Sequence, residues 1–307
     1  MNLALKAIQM QHGGRRMENI QQPEHLAEVR YQSILQEQAE FPWLVFNDGV
    51  TMKCRIFFPD GHQPGKGAPA VIFFHGGMWS LPNETEFVPW ALQLESLGVV
   101  SIIPEFRMNS DYDVLGRDVL RDACEMMAWL KDNEYELGVD AERITVAGSD
   151  MGGLMALHVA LPDVVKKRRF FHKSPPLPRG PVAVALFRGV TNLETGEVSK
   201  IRRFFSPEEL KSFNPMSRVQ RGLPLLFISH GESDKLLSAQ QSADFYKIWC
   251  KNKNQARLLL LDKADHAYLH FNVNASSFES TLSSWIRFMI DQGVWSEPED
   301  KDAFLLL

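Results

Sequence analysis

The chain has 307 residues, 45% hydrophobic and 23% charged, with a net charge of −5 at pH 7. That is room for one large α/β domain or two small ones with a substantial core, and the balance is ordinary for a globular protein. Arg15-Arg16 and Lys166-Lys167-Arg168-Arg169 are too short to make a basic stripe, so nucleic acid is not an expected partner.

Cys54, Cys124 and Cys250 are far apart and odd in number, which fits neither a disulfide framework nor a metal site. Met1 to Met10 holds too short an apolar stretch for a signal peptide, and no run approaches the ~18 apolar residues of a membrane span. The expectation is a cytoplasmic protein with no membrane contact, no metal and no cofactor.

Residues 1 to about 22 are polar, and Pro23–Glu40 reads as a helix. Trp43–Phe46 and Thr51–Phe58 are β-rich and joined at Asn47-Asp48-Gly49, a hairpin signal. After a Gly/Pro loop, Ala70–Phe74 is wholly apolar, as a buried central strand should be, and ends in His75-Gly76-Gly77-Met78-Trp79. Phe87–Leu97 is helical, Val99–Ile103 a strand, and Val114–Asn133 a helix with an apolar stripe at Val119, Ala123, Met127 and Leu130. Ile144–Ala147 is a strand and Gly153–Leu161 a helix. Further strands are expected at Val182–Phe187, Leu225–Ser229 and Ala256–Leu261, with helices at Ser238–Asn252 and Ser277–Gln292. Strands alternating with helices imply a mostly parallel central sheet flanked by helices. Pro162–Gly180 and Thr191–Arg221 interrupt the alternation and read as insertions. With residues 1–40 they are expected to form a lid over a domain spanning 41–307. Phe170, Phe171, Phe204 and Phe205 should face the pocket or the N-terminal helix, or else form a homodimer surface.

The most informative stretch is Ile144-Thr-Val-Ala-Gly-Ser-Asp-Met-Gly-Gly153, a strand that turns sharply into a helix. This is the setting of a nucleophile elbow, G-x-Nu-x-G, whose glycines allow strand and helix to pack closely around a strained apex. Register fixes the apex. Around Ser149 the flanks would be Ala147 and Met151; around Asp150 they are Gly148 and Gly152. The elbow therefore presents a carboxylate. Asp234, in His230-Gly-Glu-Ser-Asp234, and His266, in Ala264-Asp-His266, each follow a strand and complete the chain order elbow, acid, histidine. The amides of Gly76, Gly77 and Met151 are candidate oxyanion donors, with Met78, Trp79 and Ser149 lining the substrate pocket.

Taken together, HGGM at 75–78, EFR at 105–107, G-x-D-x-G-G at 148–153, HGESD at 230–234 and DHAYL at 265–269 resemble the α/β hydrolases. The match is closest to the hormone-sensitive-lipase-like and feruloyl-esterase-like carboxylesterase branch, over roughly residues 50 to 292. The resemblance implies an α/β-hydrolase fold and a hydrolase acting on a small organic molecule, with Asp150, Asp234 and His266 as its catalytic group. The chain departs from the family at Asp150, where the family has serine. His75, Arg107, Asp122, His230 and Glu105 carry structural readings instead, as supports of the elbow region or of their own turns.

A carboxylate is a poor nucleophile towards esters, because attack gives an anhydride, but a competent one towards sp³ carbon bearing a leaving group. Three functions follow. One is hydrolysis through a covalent alkyl ester on Asp150. Another is a lyase or cyclase using Asp150 and His266 as an acid/base pair. The third is a ligand-binding homologue without turnover, or an esterase whose serine has been replaced.

Overall fold

The computed structural model describes residues 24–45, 51–77, 83–108, 115–161, 180–195 and 202–297. Eight strands form one sheet: β1 (Ala39–Val45), β2 (Thr51–Phe57), β3 (Ala68–Phe74), β4 (Val100–Pro104), β5 (Val139–Ser149), β6 (Ala183–Phe187), β7 (Leu225–Gly231) and β8 (Ala256–Leu261). Their order is β1-β2-β4-β3-β5-β6-β7-β8. The pairs β1–β2 and β2–β4 are antiparallel, and every later pair is parallel. This is the mostly parallel sheet that the alternating pattern implied and the α/β-hydrolase fold that the motif resemblance implied. The central strands β3, β4 and β6 are buried along their whole length, which explains their continuous apolar runs.

The helices are α1 (Glu24–Glu37), α2 (Val88–Glu95), α3 (Gly116–Asp132), α4 (Asp150–Ala160), α5 (Pro207–Phe213), α6 (Ala239–Lys251) and α7 (Ala275–Asp291). Two hydrophobic clusters, one on each face of the sheet, hold them in place. Met151, Leu154 and Met155 of α4 share one cluster with Val119, Leu120 and Met126 of α3. The other joins Trp90 of α2 and Trp285 of α7 to Ile34 and Leu35 of α1.

Three local expectations change. The helix expected to begin at Phe87 starts as a short 3-10 turn, Glu84–Phe87, and this carries Glu86 into the interior, where it is 3% exposed. The N-terminal helix stops at Glu37, because Ala39 already pairs with Ile56; β1 is an edge strand that accommodates Pro42 at a register shift. The elbow strand runs on to Ser149, and α4 begins at Asp150 itself.

The second insertion is not a loose cover where it is described. A capping box joins Ser206 and Glu209 at the start of α5, and Arg117 of α3 reaches Glu209 at 3.0 Å. Phe204 and Phe205 enter the core beside α3. The Phe205 ring lies so close over Gly116 that a Cβ there would come within 2.3 Å of it. The expectation that these two rings face the pocket or the N-terminal helix is therefore corrected; Phe205 packs on Gly116 and on Phe213 instead. Residues 1–23, Phe170 and Phe171 and the turn at Asn47-Asp48-Gly49 lie outside the described residues. No described helix is long and apolar enough to cross a membrane.

Arg218 pins the insertion to the end of α4, with Nη1 3.1 Å from His158 Nδ1 and Nη2 donating to Leu161 O at 3.3 Å. Burial, assisted by Arg218, pushes the His158 pKa down to about 3. Unfolded, the same imidazole titrates near ~6.5. Between these values the unfolded chain binds more protons, so stability is complete above the upper value and is lost as pH falls towards the lower one. Urea unfolding between pH 7 and 4.5 should therefore show a shallower decline for His158→Gln than for the wild type, because Gln can still accept from Arg218. Equal slopes would contradict the assignment.

Candidate active site

The carboxyl ends of five neighbouring strands supply the site. β3 leads into His75-Gly76-Gly77, β5 into Asp150, β6 into Arg188, β7 into Asp234 and β8 into His266. Parallel pairing brings these loops, far apart in sequence, to one edge.

Asp150 sits at the apex with φ 49°, a left-handed conformation that costs a non-glycine residue energy. The flanking glycines are required by close approach. A Cβ on Gly148 would lie 2.3 Å from the Gly152 carbonyl, and one on Gly152 would lie 1.9 Å from Phe74 O. Gly152→Ala cannot be accommodated without moving β3 or α4. It should cost more than about 3 kcal/mol in urea unfolding, and a loss below about 1 kcal/mol would show that the elbow is looser than described.

His266 Nδ1 lies 2.7 Å from Asp234 Oδ2, and His266 Nε2 lies 3.5 Å from Asp150 Oδ1. Asp234 Oδ1 accepts the backbone N–H groups of Leu236 and Leu237 at 2.8 and 3.0 Å. His230, fully buried under the turn, bonds Ser242 Oγ through Nδ1 at 2.7 Å and places Nε2 3.3 Å from Asp234 Oδ2. Burial alone would raise the Asp234 pKa, but the hydrogen bonds from His230, His266 and the Leu237 amide hold it far below the usual carboxylate range. Asp150 is also held low: burial opposes its charge, but His266 and Arg188 outweigh burial.

Two residues that no motif singled out dominate the remainder of the site. Glu86 Oε2 accepts the Gly76 N–H at 3.0 Å and the Ser149 hydroxyl, while Oε1 pairs with Arg188 Nη2 at 2.8 Å. The Arg188 and Glu86 side chains are 4% and 0% exposed. Burial opposes the charge on each, yet Arg188 and His270 lower the Glu86 pKa, and Glu86 and Asp150 raise that of Arg188. Arg188 also donates from Nε to His266 Nε2 at 3.0 Å, and has φ 47°. Its backbone is tied to β7 by its own N–H to Ser229 O, and the next loop is tied to the elbow by Val190 N–H to Asp150 O, both at 2.9 Å.

Nε2 of His266 thus has two neighbours that suit different protonation states. A guanidinium N–H needs a lone pair on Nε2, so the Arg188 contact belongs to the neutral imidazole. A protonated Nε2 would instead turn its proton to Asp150. Burial and Arg188 disfavour the imidazolium, but the hydrogen bonds to Asp150 and Asp234 outweigh them, and the His266 pKa is raised.

Two sequence expectations are corrected here. Gly76 N–H is not a free oxyanion donor, because Glu86 holds it. Ser149 does not line an open pocket: it is fully buried, with its hydroxyl on Glu86. Met151 is also buried, at the start of α4, and Gly77 has φ 89°. Met78 and Trp79 lie outside the described residues. His75 stacks on Phe106 at 4.5 Å, with its Nδ1 2.9 Å from Gly76 O. Arg107 grips Asp122 with its guanidinium and its backbone N–H. Both are structural supports. Among the described residues no cluster of three metal-ligating side chains exists.

An arginine directly after the apolar run of β6 was the available signal for Arg188, since it ends a strand beside the elbow strand. Glu86 had none; it stands two residues from Glu84 in an unremarkable acidic stretch.

Comparison with known proteins agrees with this fold. The BD-FAE family model matches residues 55–248. Esterase LipQ of Mycobacterium tuberculosis is 25% identical over 198 residues, 59% of this chain and 46% of LipQ. Carboxylesterase NlhH of the same organism is 31% identical over 110 residues, 34% of this chain and 33% of NlhH. The chain thus spans less than half the length of these relatives. The native structure of the thermophilic esterase Est2 of Thermogutta terrifontis superposes with TM-score 0.75 at 23% identity, covering 86% of this chain and 95% of that one, a likeness of fold.

Proposed function

The chain belongs to the BD-FAE family, carboxylesterase-like α/β hydrolases, and on that premise we propose that it acts on a small organic molecule by proton transfer between substrate, His266 and Asp150. The observation that carries this reading is the carboxylate on Gly76. Acyl transfer builds an oxyanion on a scissile carbonyl and needs free N–H donors there. Here Glu86 already occupies one such donor, and its negative charge opposes a second anion beside it. A carboxylate at the apex adds the anhydride problem. Proton transfer forms no anhydride and does not need the Gly76 N–H. Neutral His266 takes a proton at Nε2, Asp234 holds the Nδ1–H and fixes the tautomer, and Asp150 Oδ1, 3.5 Å away, receives the new N–H. Returning that proton to another atom of the substrate completes an elimination, isomerisation or cyclisation.

A covalent hydrolytic reading has its own observation, the apex geometry. At φ 49° Asp150 stands where an elbow nucleophile stands. It would attack an sp³ carbon, and His266 would activate water against the resulting ester, with the amides of Gly77 and Met151 as donors. Intact-protein mass spectrometry after incubation with styrene oxide separates the two. Proton transfer predicts no adduct; a stoichiometric adduct on Asp150 would favour the covalent route and overturn the first.

Two kinetic outcomes are expected. Hydrolysis of p-nitrophenyl acetate by the wild type should be near background, and Asp150→Ser alone should raise it less than about tenfold, because Glu86 still holds Gly76. Adding Glu86→Ala with Arg188→Ala, which removes both charges together, should raise it further. A fully active Asp150→Ser single variant would show that the carboxylate on Gly76 does not matter. Secondly, a base must be neutral to act, and His266 has a raised pKa. Turnover should therefore rise with pH through a midpoint above the ordinary histidine value of ~6.5. A midpoint below that value would exclude His266 as the base.

A further inference from the structure

We propose that Arg188 is the donor that takes up the negative charge formed on the substrate, and that the proton arriving at His266 releases it for that task. The inference rests on the proton-transfer reading above and names its substrate class, an enolisable carbonyl compound.

Arg188 is enclosed at the end of β6, between the elbow, the 3-10 turn and the loop after β8. Its guanidinium has three nitrogens. Nη2 is committed to Glu86 at 2.8 Å, and Nε to His266 Nε2 at 3.0 Å. Nη1 is buried with no hydrogen-bond partner among the described residues. An unpaired charged N–H in the interior is costly, so a group that meets it is favoured. The backbone supports a working role as well: Arg188 shares the left-handed conformation with Asp150, and Val190, two residues on, donates its N–H to Asp150 O. Strain of this kind persists where surrounding structure enforces it, often at functional sites.

The contact to His266 couples the two halves of the reaction. While His266 is neutral, its Nε2 lone pair accepts the Arg188 N–H. For that lone pair to take a proton from substrate the Arg188 bond opens; once protonated, Nε2 can no longer accept, and Nε–H stays free as negative charge appears nearby. In the step, the C–H bond beside a carbonyl breaks and its proton goes to His266 Nε2. The electron pair becomes a carbon–carbon double bond, and the carbonyl π pair moves onto oxygen. Nε–H and Nη1–H of Arg188 then meet that oxygen, the office a backbone amide performs in acyl transfer. No oxidant or further reactant is needed. The charged and titratable groups around the pair are Asp150 from α4, Asp234 after β7, Glu86 from the 3-10 turn, and Tyr268 and His270 from the loop after β8. Of these, Asp150 and Asp234 bond the imidazole; Glu86 bonds the guanidinium and not the imidazole, and so holds Arg188 in place in either protonation state.

The test is histidine-selective ¹⁵N NMR of the full chain, with the His266 signal assigned by its loss in His266→Gln and acetate as the oxyanion probe. If imidazolium releases Arg188, acetate binds the protonated form more tightly, and by linkage saturating acetate raises the His266 titration midpoint. A rise of about one pH unit, equal to about tenfold tighter binding, is expected. Glu86→Gln/Arg188→Gln removes both charges without stranding either and should abolish the rise. Arg188→Lys, which keeps the ion pair but lacks the Nε–H, should reduce it at least threefold. An unmoved His266 in the wild type, or an equal rise in the double variant, overturns the proposal. Deuterium exchange at the methyl hydrogens of acetophenone, compared between the wild type and Asp150→Asn, tests the underlying reading separately. Exchange that needs Asp150 while His266 ignores acetate rejects only the role of Arg188. Exchange that Asp150→Asn leaves unchanged rejects the proton-transfer reading itself.

Discussion

The buried ion pair between Glu86 and Arg188 is the constraint on which the site depends. Two opposite charges with side chains 0% and 4% exposed persist only because each is paired and further hydrogen-bonded. Glu86 meets that condition through Gly76 N–H, the Ser149 hydroxyl and Arg188; Arg188 meets it through Glu86 and His266. These bonds tie β3, the 3-10 turn, the end of β5, the end of β6 and the loop after β8 to one another. Whatever chemistry occurs at Asp150 takes place inside this frame.

The frame also explains how a carboxylate can stand at the elbow. Asp150, Asp234 and Glu86 place three negative charges in one region. Arg188 lies against two of them electrostatically, and His266 bridges Asp150 and Asp234. The Arg188 charge favours ionisation of both Glu86 and Asp150. The same arginine opposes the protonation of His266 that its two carboxylates favour, although their effect is the larger. Asp150, Glu86 and Arg188 therefore form one electrostatic unit, and a change at any of them alters the other two.

Much of this was legible in the sequence. The apolar runs at Ala70–Phe74 and Ile144–Ala147 marked central strands because buried parallel strands show no alternation, and the register of Gly148 and Gly152 selected Asp150 over Ser149 at the apex. Asp234 and His266 could be placed because each follows a strand in a sheet whose carboxyl ends converge. What was not legible depended on tertiary contact. Glu86 enters the core only because the helix that follows it opens with a 3-10 turn, and nothing in Glu84-Thr85-Glu86 distinguishes a buried acid from a solvated one. Phe204 and Phe205 looked like a lid because their partner, the bare surface at Gly116, lies nearly ninety positions away in the chain.

The most direct measurement of the central claim is a double-mutant cycle in urea between Glu86→Gln and Arg188→Gln. If the two side chains are one buried unit, each single variant strands a charge and should lose about 3–5 kcal/mol. The double variant should then lose less than the sum by at least about 2 kcal/mol. Single losses that simply add in the double variant would mean that Glu86 and Arg188 act independently, and would contradict the account of the site built on their pairing.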